Sequence, residues 1–127
     1  MLFGPITVET RQSTDVYAVE EPRVQEAMQF IRLHARDGIN VDDVIHHVAV
    51  PRRWLERHFD VLVGRSPLKE IQRVRVESAK AVLVDTDRNL ETIAHACGFG
   101  SVTRFSLVFK KATGLSPGRF RKQFHRT

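Results

Sequence analysis

Four ionic side chains crowd the start of one amphipathic stretch: Arg52, Arg53, Glu56 and Arg57, directly after Pro51. Arginine can donate two parallel hydrogen bonds to O6 and N7 of guanine, and glutamate can accept from N4 of cytosine. The same arginines can instead hold phosphate oxygens, which positions a protein on a duplex without reading it. Metal and redox chemistry have less to draw on. His46-His47 and His95-Ala96-Cys97 lack the spacing of a zinc site, and neither a metal nor a cofactor is expected. Cys97 is the only cysteine and cannot form an internal disulfide, which fits a reducing compartment.

These side chains belong to a pattern that occurs twice. The first copy reads V-I-H-H-V-A-V-P-R-R-W-L-E-R-H-F-D-V-L-V-G-R-S-P from Val44 to Pro67. The second reads I-A-H-A-C-G-F-G-S-V-T-R-F-S-L-V-F-K-K-A-T-G-L-S-P from Ile93 to Pro117. Val44 matches Ile93 and Val50 matches Phe99 at an offset of 49. Past the extra Gly100 the offset becomes 50, pairing Leu55 with Phe105, Phe59 with Phe109, Gly64 with Gly114 and Pro67 with Pro117. Each copy reads as a short apolar helix, a tight turn, and a second helix that ends at Gly and restarts at Ser-Pro. That is the outline of a helix-turn-helix. Two such units in one small domain can address neighbouring major-groove segments of double-stranded DNA.

The elements that must position them follow from periodicity. Residues 1–20 have no helical period and hold two β-like stretches, Ile6–Val8 and Val16–Val19, as a short extended leader. From Glu21 onward the chain reads as all-α with seven helices. The first opens at Glu21-Pro22, carries the apolar stripe Val24, Ala27, Met28, Ile31 and Ala35, and ends at Asp37-Gly38. The first helix-turn-helix spans about 41–63, with Asn40 as cap and Leu55, Phe59 and Leu62 on one face of its second helix. A long linker helix at 67–84 joins the two units and puts Leu68, Ile71, Ala79, Val82 and Leu83 on one face. Arg75 falls in the middle of that face, where it is expected to snorkel or pair with an acid. The second helix-turn-helix spans about 90–113, and a final helix covers about Pro117–Phe124. The domain is thus expected to occupy 21–127.

Charge is unevenly placed. The net charge of +5 hides four Arg against eight acids in residues 1–43, and sixteen Lys or Arg against seven acids thereafter. No acid follows Glu91, whereas Arg104, Lys110, Lys111, Arg119, Arg121, Lys122 and Arg126 are all basic. A block of one sign on a folded pattern is the footprint of a polyanion binder, although a solvated basic surface would look the same on charge alone. No stretch approaches the roughly 20 apolar residues of a membrane span. A cytoplasmic, nucleoid-associated protein is expected.

The second copy becomes specific in the strings I-A-x-x-x-G-F at Ile93–Phe99, S-x-x-x-F-x-x-x-F-K-K at Ser101–Lys111 and G-x-S-P-x-x-F-R-K at Gly114–Lys122. Together they resemble the signature of the AraC/XylS family of transcription regulators, over roughly Val24–Phe124. Leu33-His34-Ala35, Leu55-Glu56 and V-E-T-R-Q-S-T-D at Val8–Asp15 are similar to the xylose-responsive members. In those the leader is the tail of a sugar-sensing domain of periplasmic-binding-protein type. The resemblance implies a DNA-binding fragment without its sensor, a sugar effector acting only through that absent domain, and RNA polymerase as a further partner. It also implies that a full-length protein dimerises. The alternatives are a stand-alone regulator of this family and a module that chiefly contacts polymerase.

The resemblance also assigns roles. It implies that the helix Pro51–Leu62 reads bases through Arg52, Arg53, Glu56 and Arg57, and the second unit through Val102, Thr103, Arg104 and Ser106. Arg104 is the one strong donor in the second set, so more base specificity is expected from the first. Lys110, Lys111, Arg119, Arg121 and Lys122 are expected to bind phosphate or stay solvated. Trp54 either packs or stacks on backbone sugar. Family members carry Ser or Thr where this chain has Pro51, which starts a helix but supplies no cap. Some repair proteins pair such a domain with a methyl-accepting Cys, but Cys97 lies in a small apolar setting before Gly98 and reads as inert packing.

Overall fold

The computed structural model describes residues 21–125, and every regular element within them is a helix. The leader stretches Ile6–Val8 and Val16–Val19 lie outside the described residues. The order is α1 (Pro22–His34), a 3-10 turn (Ala35–Asp37), α2 (Val41–Val48), α3 (Arg52–Leu62), α4 (Pro67–Asp85), α5 (Leu90–Ala96), α6 (Val102–Thr113) and α7 (Pro117–Phe124). Side-chain caps explain most of the starts. Asn40 and Asp43 form a reciprocal capping box at α2, both bonds 2.9 Å long. Ser66, Asn89, Ser101 and Ser116 each accept from the backbone N–H three residues on. Helix α3 is the exception: Pro51, the expected first residue, occupies the N-cap position instead, so the helix begins one residue later at Arg52, and no side chain caps it.

Two apolar cores result, one per unit. Val24, Ala27, Met28 and Ile31 of α1 pack with Val44 and Val48 of α2, Leu55 and Phe59 of α3, and Ile71 of α4. The second core joins Val76, Ala79 and Leu83 of α4 to Ile93, Ala94 and Cys97, then Phe99, Phe105 and Phe109. Helix α4 therefore serves both cores in succession, and Arg75 stands at the changeover. Leu62 and Leu68 were expected on buried faces but are 41% and 49% exposed. Leu62 lies in the last turn of α3, where Val63 packs on the core instead, and Pro67 takes the buried place beside Leu68.

Arg75 also departs from expectation. It neither snorkels nor meets an acid: it is 8% exposed and donates from Nε to the Ala35 carbonyl at 2.8 Å and from Nη2 to the Ile39 carbonyl at 2.6 Å. Burial, and then the charge of Arg104, push its guanidinium below the usual arginine value. A buried acid, which helical periodicity does not mark, also stands on α4. Glu70, 2% exposed, accepts from Arg65 at 2.7 Å and from Arg73 at 3.0 and 2.8 Å, tying the turn after α3 to α4.

Candidate nucleic-acid interface

Burial of Leu55 and Phe59 turns the opposite side of α3 outward, and Arg52, Arg53, Glu56 and Arg57 are all exposed. Their states differ. Arg52 is paired with Asp42 of α2 and reaches Glu56 at 3.7 Å, so these two share a surface ion network. Exposed pairs of this kind contribute little and exchange readily. Arg53 and Arg57 have no ionic partner among the described residues. Trp54 is half-buried against the first core, with its ring stacked 3.8 Å from that of His58. Packing is thus its role in the free protein.

The second unit repeats this geometry with different chemistry. Phe105 and Phe109 are buried, Thr103 and Arg104 are exposed, and Ser106 is half-buried. Val102 is half-buried and packs against the second core. One exposed residue lies outside the set expected from the sequence. The offset of 50 pairs Arg57 with Leu107, which is 69% exposed, and pairs Arg104 with Trp54. The repeat register marks Leu107 as the counterpart of Arg57, although its apolar side chain carries no hydrogen-bonding signal.

Of the residues expected at phosphate, Lys110 and Lys111 stand exposed in the last turn of α6, where cations also suit the helix dipole. Arg119 and Lys122 are exposed on α7. Arg121 is differently engaged. Its Nε donates to the Leu83 carbonyl at 3.2 Å and its Nη2 to the Thr86 carbonyl at 3.1 Å, so it closes the C-terminal end of α4. Those carbonyls lack partners within their own helix, and α7 supplies them across the fold. A groove of about 550 Å³ runs between α4 and α6, with Lys69, Arg73, Lys80 and Lys111 around Val76 and Leu107.

Burial pushes the Cys97 thiol up against a smaller opposing effect from Arg36, and the net shift favours the protonated thiol. Burial pushes the Glu70 carboxyl up as well, but the hydrogen bonds and charges of Arg73 and Arg65 outweigh it and hold it below its ordinary value. Among the described residues no cluster of His, Cys, Asp or Glu could hold a metal ion, and no helix is long and apolar enough to cross a membrane.

Comparison with known proteins follows the same lines. A helix-turn-helix domain model matches residues 44–123, more than half of the chain. The chain is 36% identical to the xylose operon regulatory protein of Escherichia coli strain K12 over 95% of its own length and 31% of that protein. It therefore spans about a third of the length of that curated relative. Among solved structures, the AraC-type DNA-binding-domain regulator from Chromobacterium violaceum is 30% identical with a TM-score of 0.71, covering 80% of this chain and 91% of that one. The DNA-binding domain of the global transcriptional factor AdpA, solved with a target DNA, is 25% identical with a TM-score of 0.76, covering 82% and 94%. With the domain match, the two units and this likeness along nearly the whole domain, the chain belongs to the AraC-type helix-turn-helix DNA-binding domains of transcription regulators.

Proposed function

We propose that this domain reads two adjacent major-groove segments, one with α3 and one with α6, on behalf of a regulator of xylose catabolism. One observation carries the reading: equivalent outward positions of the internal repeat hold Arg53, Glu56 and Arg57 in one unit and Thr103, Ser106 and Leu107 in the other. Arg53 and Arg57, free of ionic partners among the described residues, are assigned to guanine. Arg52 and Glu56 join them once their mutual pairing opens, Glu56 taking a cytosine amino group. In α6 the hydroxyls of Thr103 and Ser106 make weaker polar contacts, and Leu107 meets a thymine methyl. Val102 and Arg104 flank this set. Lys110, Lys111, Arg119 and Lys122 supply phosphate contacts, while Arg121 is withdrawn from that role by its bonds to α4.

The xylose assignment rests on the relative from Escherichia coli, whose alignment with this chain takes in 121 residues. On this reading residues 1–20 are the tail of a sugar sensor, the sugar acts through that sensor, and RNA polymerase and a second copy engage the full-length protein. Selection from a randomised duplex pool, followed by a single-base scan of the winning site, tests the core of the proposal. The expected result is two clusters of sensitive positions about one helical turn, roughly 34 Å, apart. Equal affinity for selected and random duplexes would overturn it and leave a module that contacts proteins alone.

A further inference from the structure

The two units share a left-handed backbone position but place different residues there. Ala49 and Gly98 are equivalent at the offset of 49, and both adopt positive φ, +58° and +91°. In the first unit Ala49 is exposed, so its side chain adds no tertiary clash to the local cost of the left-handed backbone. In the second unit a Cβ at Gly98 would lie 2.4 Å from the Ala35 carbonyl oxygen, 3.0 Å from Arg75 Nε and 3.1 Å from the Arg36 carbonyl carbon. Glycine is required at 98 by close approach as well as by φ. What it approaches is the other unit: the turn that launches α6 rests on the 3-10 turn that follows α1.

Arg75 is the pin in that joint. It is rooted on α4 between Ile71 of the first core and Val76 of the second, and its two bonds hold carbonyls at Ala35 and Ile39 of the first unit. Bonds from a charged donor are short and strong, and their fork geometry is directional. A buried guanidinium nonetheless carries a desolvation cost that a well-packed apolar side chain would avoid. An apolar residue would join the cores; the fork additionally fixes an angle. We propose that Arg75, seated against Gly98, is a positioning residue that locks the two helix-turn-helix units in one mutual orientation and thereby sets the half-site spacing the domain accepts. This rests on the reading of α3 and α6 as recognition helices.

The test varies the spacer of the selected site by one base pair in each direction. Each step moves one half-site about 3.4 Å along and about 34° around the duplex. The wild-type domain should lose about tenfold or more in affinity at either altered spacer, the equivalent of one good base contact. Arg75→Met and Gly98→Ala should cut that penalty to about threefold or less, with Arg75→Lys between, while binding to a duplex carrying only the α3 half-site changes by less than about twofold. A generally loosened fold would lower half-site binding as well. Wild-type protein indifferent to the spacer overturns the proposal without any variant. So does folded Arg75→Met, checked by its thermal transition, that keeps the wild-type penalty; should it not fold, Arg75→Lys and Gly98→Ala decide in its place. Wild-type protein that prefers no duplex at all sinks the base-reading proposal itself, a distinguishable failure.

Discussion

Arg57 and Leu107 stand at one position of the repeat, and on the proposed reading they would ask different things of a base. A guanidinium can demand guanine through two hydrogen bonds, whereas a leucine can only favour a methyl. Arg53→Ala and Arg57→Ala should each cost about 1–3 kcal/mol at the preferred site and relax specificity at one base pair. Lys111→Ala should weaken binding to all sequences about equally. Equal losses on specific and random DNA for Arg57→Ala would return that arginine to the phosphate backbone. For Leu107 the matching probe is a scan replacing single thymines with deoxyuridine, which removes only the methyl. One replacement in the α6 half-site should weaken wild-type binding and leave Leu107→Ala unaffected; additive losses would show that the two never meet. At this scale the sequence told which residue types were available, and burial told which were free. Arg121 shows the limit: a basic residue in a basic block, it is committed to carbonyls of α4 that lie more than thirty positions earlier. No local pattern encodes that.

Elements were more legible than residues, because caps and periodicity are local. Asn40 and the Ser-Pro pairs at Ser66 and Ser116 mark helix starts in the sequence and accept the capping bond in the structure, and Asn89 and Ser101 do the same for α5 and α6. Leu55 and Phe105 match in the repeat and are both fully buried, so each is the keystone of its unit. Leu55→Ala and Phe105→Ala should cost about 2–5 kcal/mol of stability. An unchanged melting temperature with DNA binding lost would place those side chains on the DNA instead. The tie between α3 and α4 makes a further prediction. Glu70 titrates below its ordinary value in the folded protein, held there by Arg73 and Arg65. A depressed carboxylate contributes stability that is present above its unfolded pKa and is lost as pH falls through the folded one. Glu70→Gln should therefore cost about 2 kcal/mol near neutrality, of the order of a hydrogen bond to a charged group. The deficit should shrink once the pH falls below the ordinary glutamate range. A deficit constant with pH would mean that the role of Glu70 is packing and shape.

At the scale of the whole molecule, the doubling of the unit was plain in the sequence but the joint between the copies was not. Arg75 bonds to residues 36 and 40 positions earlier, and the neighbours of Gly98 come from α1's end and α4, which only the assembled fold brings together. Charge, by contrast, is a property of the whole that composition reports directly. From Val44 onward sixteen cations face seven acids, and Arg53, Arg57, Lys110, Lys111, Arg119 and Lys122 are exposed. Each phosphate neutralised releases counterions, so the logarithm of affinity should fall against the logarithm of salt with a slope of about −0.9 per contact. Several contacts should give a steep line, and Lys111→Ala should flatten it by about one contact's worth. The sugar enters through the same experiment. On the proposed reading the sugar acts through a separate domain, so these 127 residues should bind their site without xylose. Titration of labelled site across a salt series, with and without xylose, measures both. Sugar-dependent affinity would place an effector site within these 127 residues and refute an effector acting through another domain. Salt-insensitive binding would refute the electrostatic account of the basic half, whatever the sugar does.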